Sequence, residues 1–354
     1  TRCCSWSRGL GDVYKRQVDI QFTTPPIAGS LSTEGVVEST VGELDTSDNA
    51  DTEITMVLGP VSLRKTGQTI SHAARDDGDL ELGVPWPPTR FHILYGGADG
   101  LCVDQSTDCD GNPSNDVVED HLTGLMWARD GDISDNNFHV WLYPLQYTAN
   151  IINAGDGIAG FHDWRVPNVV EMRSLINHAG LYPTNTWLEA QGFVDVKPYV
   201  YWVSTTCMGS TDEGYRVHID GQVSSRAKDD PSNETFWPVR GQTTAPGQLR
   251  PTGQDTCFDH TGAVVDCWAT PYPGQDAAYA AGVPWPSPRF TNPDGSTPVT
   301  GPVTVDQLTG LMWHTDVGIL PGWVSWSDAM SAIETDLNAT SYGGHNDWRM
   351  PNLN

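Results

Sequence analysis

Three groups of residues in this 354-residue chain have types and spacings that could do chemistry. The first is His162-Asp163-Trp164-Arg165-Val166-Pro167-Asn168, which returns as Asn346-Asp347-Trp348-Arg349-Met350-Pro351-Asn352. A carboxylate two residues from a guanidinium can hold a polar ligand, or the guanidinium can fork onto an internal carboxylate. The second is a loop carrying Asp104, Asp108, Asp110 and Asp116 around Gly111 and Asn112. Alternating Asp with a Gly at the tight turn partly matches a calcium loop, but the distal bidentate Glu is missing, so the alternative is a set of Asx turns without an ion. The third is Arg216, His218 and Arg226 on two β-prone runs joined by Asp220-Gly221. Tyr215, Val217 and Ile219 face one way in that hairpin, and the basic residues face the other, lining an exposed polar surface open to a ligand.

No constellation for nucleophilic or metal-assisted hydrolysis accompanies these groups. The chain has neither HExxH nor GxSxG, and no second Cys pairs with Cys207, which reads as a buried small hydrophobe. Cys102 with Cys109, and Cys257 with Cys267, each flank a short polar loop in a chain without CxxC. That pattern favours disulfides over a zinc site. With the acidic, Thr-rich surface, it points to secretion or surface display.

The elements that must position these residues come in two sets. Asp120-His121-Leu122-Thr123-Gly124-Leu125-Met126-Trp127 is answered by Asp306-Gln307-Leu308-Thr309-Gly310-Leu311-Met312-Trp313, and Gly83-Val84-Pro85-Trp86-Pro87 by Gly282-Val283-Pro284-Trp285-Pro286. Shared blocks in one order predict two tandem domains, 66–241 and 252–354, joined by a linker at 242–251. Trp127 and Trp313 are expected in the cores. A first helix carries Pro144, Leu145, Ala149 and Ile152 until Gly155. Its counterpart starts with the pair Ser325 and Asp328 and carries Trp326, Ala329, Ile333 and Leu337 as an apolar stripe.

The central block has a mechanical reading. Asp163 tightens a turn, Trp164 fills the core, and Arg165 forks onto a carboxylate from a neighbouring strand. Asn168 caps a helix with Glu171 as its reciprocal partner; Val169, Met172, Ile176 and Ala179 form the buried face, and Gly180 ends it. Asp347, Trp348 and Arg349 take the same parts in the second copy, which carries no strand set after its motif and is expected to be marginal in isolation.

A net charge of -26 opposes binding to nucleic acid, and no apolar run is long enough to span a bilayer. The 36 Gly and 25 Pro predict many turns and short strands. Residues 1–17 resemble a translated sequencing adapter of the kind found on environmental gene fragments, and no signal segment is legible there. Residues 18–65 read as a linker or the remnant of a preceding β domain, with alternation at Val18, Ile20 and Phe22.

Thr-Gly-Leu-Met-Trp at 123–127, Asp-Trp-Arg-Val-Pro-Asn at 163–168, Tyr-Trp-Val-Ser-Thr at 201–205 and Trp-Pro-Val-Arg-Gly at 237–241 resemble, in that order, the domain at the C-terminus of a bacterial collagen-like adhesin, Lcl. That family was long known only as a domain of unknown function. The resemblance covers most of 66–241 and, as a truncated second copy, about 250–354. It implies an α+β, C-type-lectin-like fold, two helices flanking a short twisted antiparallel sheet, in tandem. It also implies a secreted or cell-surface module for adhesion to a glycan or a surface protein, without enzymatic activity. The alternatives are a passive spacer in a larger surface protein and, more remotely, an enzyme on a formylglycine-generating type of scaffold. Two features depart from the family: there is no Gly-X-Y stalk to impose a trimer, and Val166-Pro167-Asn168 lacks the carboxylate by which sugar-binding C-type lectins hold calcium. No cofactor is implied beyond calcium at the Asp-rich loop.

Overall fold

The computed structural model describes residues 29–36, 50–57, 60–97, 99–134, 140–179, 183–231, 234–316 and 324–353. The adapter-like residues 1–17, the alternation at Val18, Ile20 and Phe22, and Gly180 lie outside them. The chain divides into two units, Thr1–Pro60 and Val61–Asn354. In the first, β1 (Gly29–Val36) pairs antiparallel with β2 (Ala50–Val57), so this stretch contains a strand pair.

The second unit is mixed α+β, with several small antiparallel sheets and short helices. It opens on α1 (Asp77–Leu80) and β3 (Phe91–Leu94), followed by β4 (Val117–Asp120) and β5 (Met126–Ala128). Helix α2 (Leu142–Tyr147) widens into a π-type turn at Thr148–Ile152, and α3 (Val169–Ser174) and α4 (Thr184–Ala190) follow. The chain then forms β6 (Val200–Thr206), β7 (Glu213–His218), β8 (Val223–Ala227) and β9 (Val239–Arg240). One sheet has the order β9-β5-β4-β3 and the other β8-β7-β6. Pro238 precedes β9, which pairs with β5 on one side, while on the other Val239 exchanges two backbone hydrogen bonds with Arg165 (2.9 and 3.0 Å).

Two apolar clusters hold these sheets. Trp127, Trp164, Tyr201, Val203, Val217 and Trp237 belong to the main one, where Trp127 and Trp237 meet edge to face at 5.9 Å. Each buried Trp removes ~200 Å² from water, on the order of 5 kcal/mol before entropic costs. Strand alternation sends Trp202 to the opposite face, where it packs with Trp141, Val166, Phe236 and Tyr272. Strand β6 is therefore covered on both sides, whereas β8 is only half-buried. Helix α3 is shorter than its periodicity implies: Met172 and Ile176 are buried, but the helix stops before Leu175.

The second set of blocks forms α5 (Asp276–Tyr279), β10 (Phe290–Thr291), β11 (Val303–Asp306), β12 (Met312–His314) and α6 (Trp326–Ala332), which again widens into a π-type turn at Ile333–Asn338. Two expectations need correction here. Trp313 is 40% exposed and Trp326 50%, whereas Trp127 and Trp141 in the first set are buried. Trp127 lies under Trp237, and Trp141 donates its indole N–H to the Val203 carbonyl (2.7 Å). Among the described residues no strand of that kind covers Trp313 and Trp326. A cavity of about 560 Å³ lies beside Trp313 instead, lined mainly by apolar groups such as Met312, Ile333, Leu337 and Trp348, with Asp336 and Arg349 among its polar residues.

The opening segments cross over. Residues leading into the second set pack on the first: the Thr205 hydroxyl donates to Asp276 (2.7 Å), Gln254 exchanges two hydrogen bonds with the Thr206 backbone (2.9 and 3.1 Å), and the Asn168 amide meets the Ala281 carbonyl (3.5 Å). Residues leading into the first set pack on the second: Val61 N donates to Leu308 O (2.5 Å), Arg75 pairs with Glu334 (3.1 Å), and Asn352 reaches Asp77 (3.3 Å).

Candidate functional site

Arg165 donates both terminal nitrogens to Glu171 (2.5 and 2.7 Å) and a further bond to the Gly241 carbonyl (3.1 Å). Both side chains are buried. The carboxylate comes from the first turn of α3 and not, as expected from the sequence, from a neighbouring strand. The same Glu171 accepts from the Asn168 backbone N–H (2.9 Å) while the Asn168 side chain accepts from Val170 and Glu171, a capping box. One carboxylate thus completes the cap at the start of the helix and neutralises the guanidinium, so neither charge is left to meet a ligand.

Asp163 was expected to tighten a turn, but no turn is assigned at 162–164, and its carboxylate serves a distant strand instead. It receives Arg240 of β9 (2.6 and 3.2 Å), whose guanidinium lies 3.8 Å above the Phe161 ring. This pair fastens the closing strand to the motif. In the second set Asp347 is exposed, and Arg349 donates to the Met350 carbonyl (3.1 Å).

Two further clamps were missed from sequence. The Asn153 side chain accepts from Trp164 N (2.9 Å) and donates to Trp164 O (2.7 Å); Asn338 does the same for Trp348 (2.8 and 3.1 Å). The signal was an Asn-Ala pair ahead of the motif in both copies. Arg90 forks onto buried Asp120 (2.9 and 2.8 Å), and Arg289 onto Asp306 (2.9 Å on both oxygens). Each guanidinium also lies over a repeated Trp, Trp86 at 4.7 Å and Trp285 at 4.5 Å.

The basic face of the hairpin is smaller than the alternation suggests. Arg216 is spent on a very short pair with Glu234 and a bond to Ser224 (3.0 Å), because the chain folds back over this side of the sheet with Phe236. Burial raises the Glu234 carboxyl, and one of its oxygens, Oε2, has no partner. Arg226 approaches Asp230 (3.6 Å) and Glu234 (3.9 Å), and His218 pairs with Asp220 in the turn (2.9 Å). Arg226 and His218 keep about a third of their side-chain surface open.

The four carboxylates of the Asp-rich loop are not brought together. Asp104 accepts from Ser106 and Thr107, Asp108 from the Asp110 and Gly111 amides, and Asp110 from Asn112 and Asn115. These bonds hold the Asp104 and Asp110 carboxyls below the usual range. Asp116 is buried and points away, held by Arg129 (2.7 Å) and Gly96 N (2.8 Å). The loop is laced by Asx turns and by the disulfide Cys102–Cys109; the second disulfide is Cys257–Cys267. Cys207 is a free thiol, half-buried rather than buried. Among the described residues, His92, Glu119 and His121 do converge, a group the sequence reading passed over although Glu119 and His121 stand at strand-alternate spacing.

The Cys257–Cys267 loop seals Lys228. Its ammonium donates to the carbonyls of Thr211 (2.9 Å), Phe258 (3.0 Å) and Asp259 (3.2 Å) over the Trp141 ring, and burial lowers its pKa to about 8. Burial likewise raises Asp276 to about 6.

Two disulfides suit an oxidising, extracellular setting. Among the described residues no helix is long and apolar enough to cross a membrane. No curated protein and no solved structure matches the chain. A family model does, over a range that starts beside β4 and ends on β9: residues 116–240 match the model of the Lcl C-terminal domain.

Proposed function

We propose that the chain is part of a secreted or cell-surface adhesion protein, a non-enzymatic binding module whose ligand is a glycan or a surface protein. The observation that carries this reading is the Lcl C-terminal domain at 116–240 within a disulfide-bonded chain. In this reading the scaffold is C-type-lectin-like, because the sheet β9-β5-β4-β3 gathers strands from both ends of the first set. Residues 252–354 are a second copy, in which the Arg289–Asp306 fork and the Asn338 clamp repeat those of the first. The repeated charges serve the scaffold, and ligand contact falls to the side chains that stay open on the hairpin, Arg226 and His218. The test is a glycan and surface-protein array probed with the whole purified chain. Selective capture supports a binding module; silence from folded material favours the passive spacer.

A further inference from the structure

We propose that His92, Glu119 and His121 form a binding site for one zinc-class divalent cation. The site stands on the sheet edge at β3 and is independent of the Asp-rich loop. Strand register creates it. His92 lies opposite Glu119 in the β3–β4 pairing, and His121 follows two residues on, so alternation returns it to the same side. His92 Nδ1 and His121 Nε2 stand 3.6 and 3.7 Å from the same carboxylate oxygen, and all three donor atoms fall within 4.8 Å of one another. Donors bound tetrahedrally at ~2.1 Å stand ~3.4 Å apart, so a few tenths of an ångström of side-chain rotation closes those two edges.

His121 Nδ1 faces the Thr89 carbonyl at 3.3 Å. A carbonyl can only accept, so Nδ1 carries the hydrogen in the neutral ring and Nε2 presents its lone pair toward Glu119. Orientation of a ligating imidazole by a backbone carbonyl on its other nitrogen is the usual support for a metal ligand.

The fold does not need these three side chains. In the second set the same places are held by Thr291, Val305 and Gln307, where Gln307 Nε2 donates to Thr291 Oγ1 (2.8 Å). The backbone around them is retained: His121 N donates to Arg90 O (2.8 Å), and Gln307 N to Arg289 O (2.7 Å). Two imidazoles and one carboxylate suit zinc, nickel or copper over calcium, and an exposed trio leaves a fourth position for water or a donor from a partner.

Calorimetric titration of untagged, chelator-treated full chain with Zn²⁺ at pH 7.5 tests the assignment. The expected result is saturable one-to-one binding, weakened more than about tenfold in His92→Thr/His121→Gln, which installs the pair already accommodated at Thr291 and Gln307. Absence of saturable binding by the wild type, or equal binding by the variant, overturns the proposal. Mass mapping of imidazole acylation gives an answer on the wild type alone. Zn²⁺ should shield His92 and His121 while His218 stays reactive; equal modification of His92 and His121 with and without Zn²⁺ overturns the assignment.

Discussion

At the scale of single residues, the charges that draw the eye in the sequence are consumed internally. Arg165 and Glu171 are both buried and satisfy each other. Removing one partner strands the other away from water, so Glu171→Gln should cost about 3–5 kcal/mol in denaturant unfolding. A loss under about 1 kcal/mol would mean that solvent reaches the pair. Asp276 behaves differently, because burial outweighs the two hydroxyls that serve it, Thr205 and Thr252 at 2.7 Å each. Its folded pKa of about 6 stands above the unfolded value of 3.8. The folded state therefore favours the protonated acid, and the stability it contributes is complete below the unfolded value and lost as pH rises through about 6. The difference corresponds to about 3 kcal/mol. Asp276→Asn should thus be more stable than wild type at pH 8, with the gap closing by pH 4. A gap that does not change with pH would contradict this.

At the scale of elements, periodicity showed the strands and helices well and the polar clamps poorly. The hairpin at Asp220-Gly221, the cap at Asn168 and both disulfides were legible because each depends on residues close in sequence. The Arg90–Asp120 fork and the Arg216–Glu234 pair join residues 30 and 18 positions apart, and nothing local announces them. The same limit explains the hairpin face: alternation puts Arg216 on the side opposite Val217, but only the fold shows Phe236 returning over that side and Glu234 taking the charge. Asn153 is the clearest case of a small residue fixing an element. It satisfies both backbone groups of Trp164, and Asn153→Ala should leave them orphaned at a cost of about 2–3 kcal/mol. Thermal unfolding followed by Trp fluorescence checks this, and a midpoint within about 1 °C of wild type would remove the clamp from the account.

At the scale of the whole Val61–Asn354 unit, the repeated blocks do not stand apart as beads. The lead into each set packs on the body of the other, and the Cys257–Cys267 loop covers Lys228 of the first. Sequence repetition made the two sets visible but could not show this crossing, which depends on contacts such as Arg75 with Glu334. Opening the loop with Cys257→Ser/Cys267→Ser should cost about 2–4 kcal/mol and expose the Lys228 amine to acylation, read by mass mapping. Unchanged protection would place the seal elsewhere. In the proposed function the Asp-Trp-Arg block is scaffold and the open hairpin side chains meet the ligand. The most direct measurement is array binding of the whole chain as wild type, as His218→Ala/Arg226→Ala, and as Asp163→Asn, each shown to be folded. Selective binding should be lost in the hairpin variant and kept in Asp163→Asn. Binding kept in the hairpin variant and lost in Asp163→Asn would contradict this assignment.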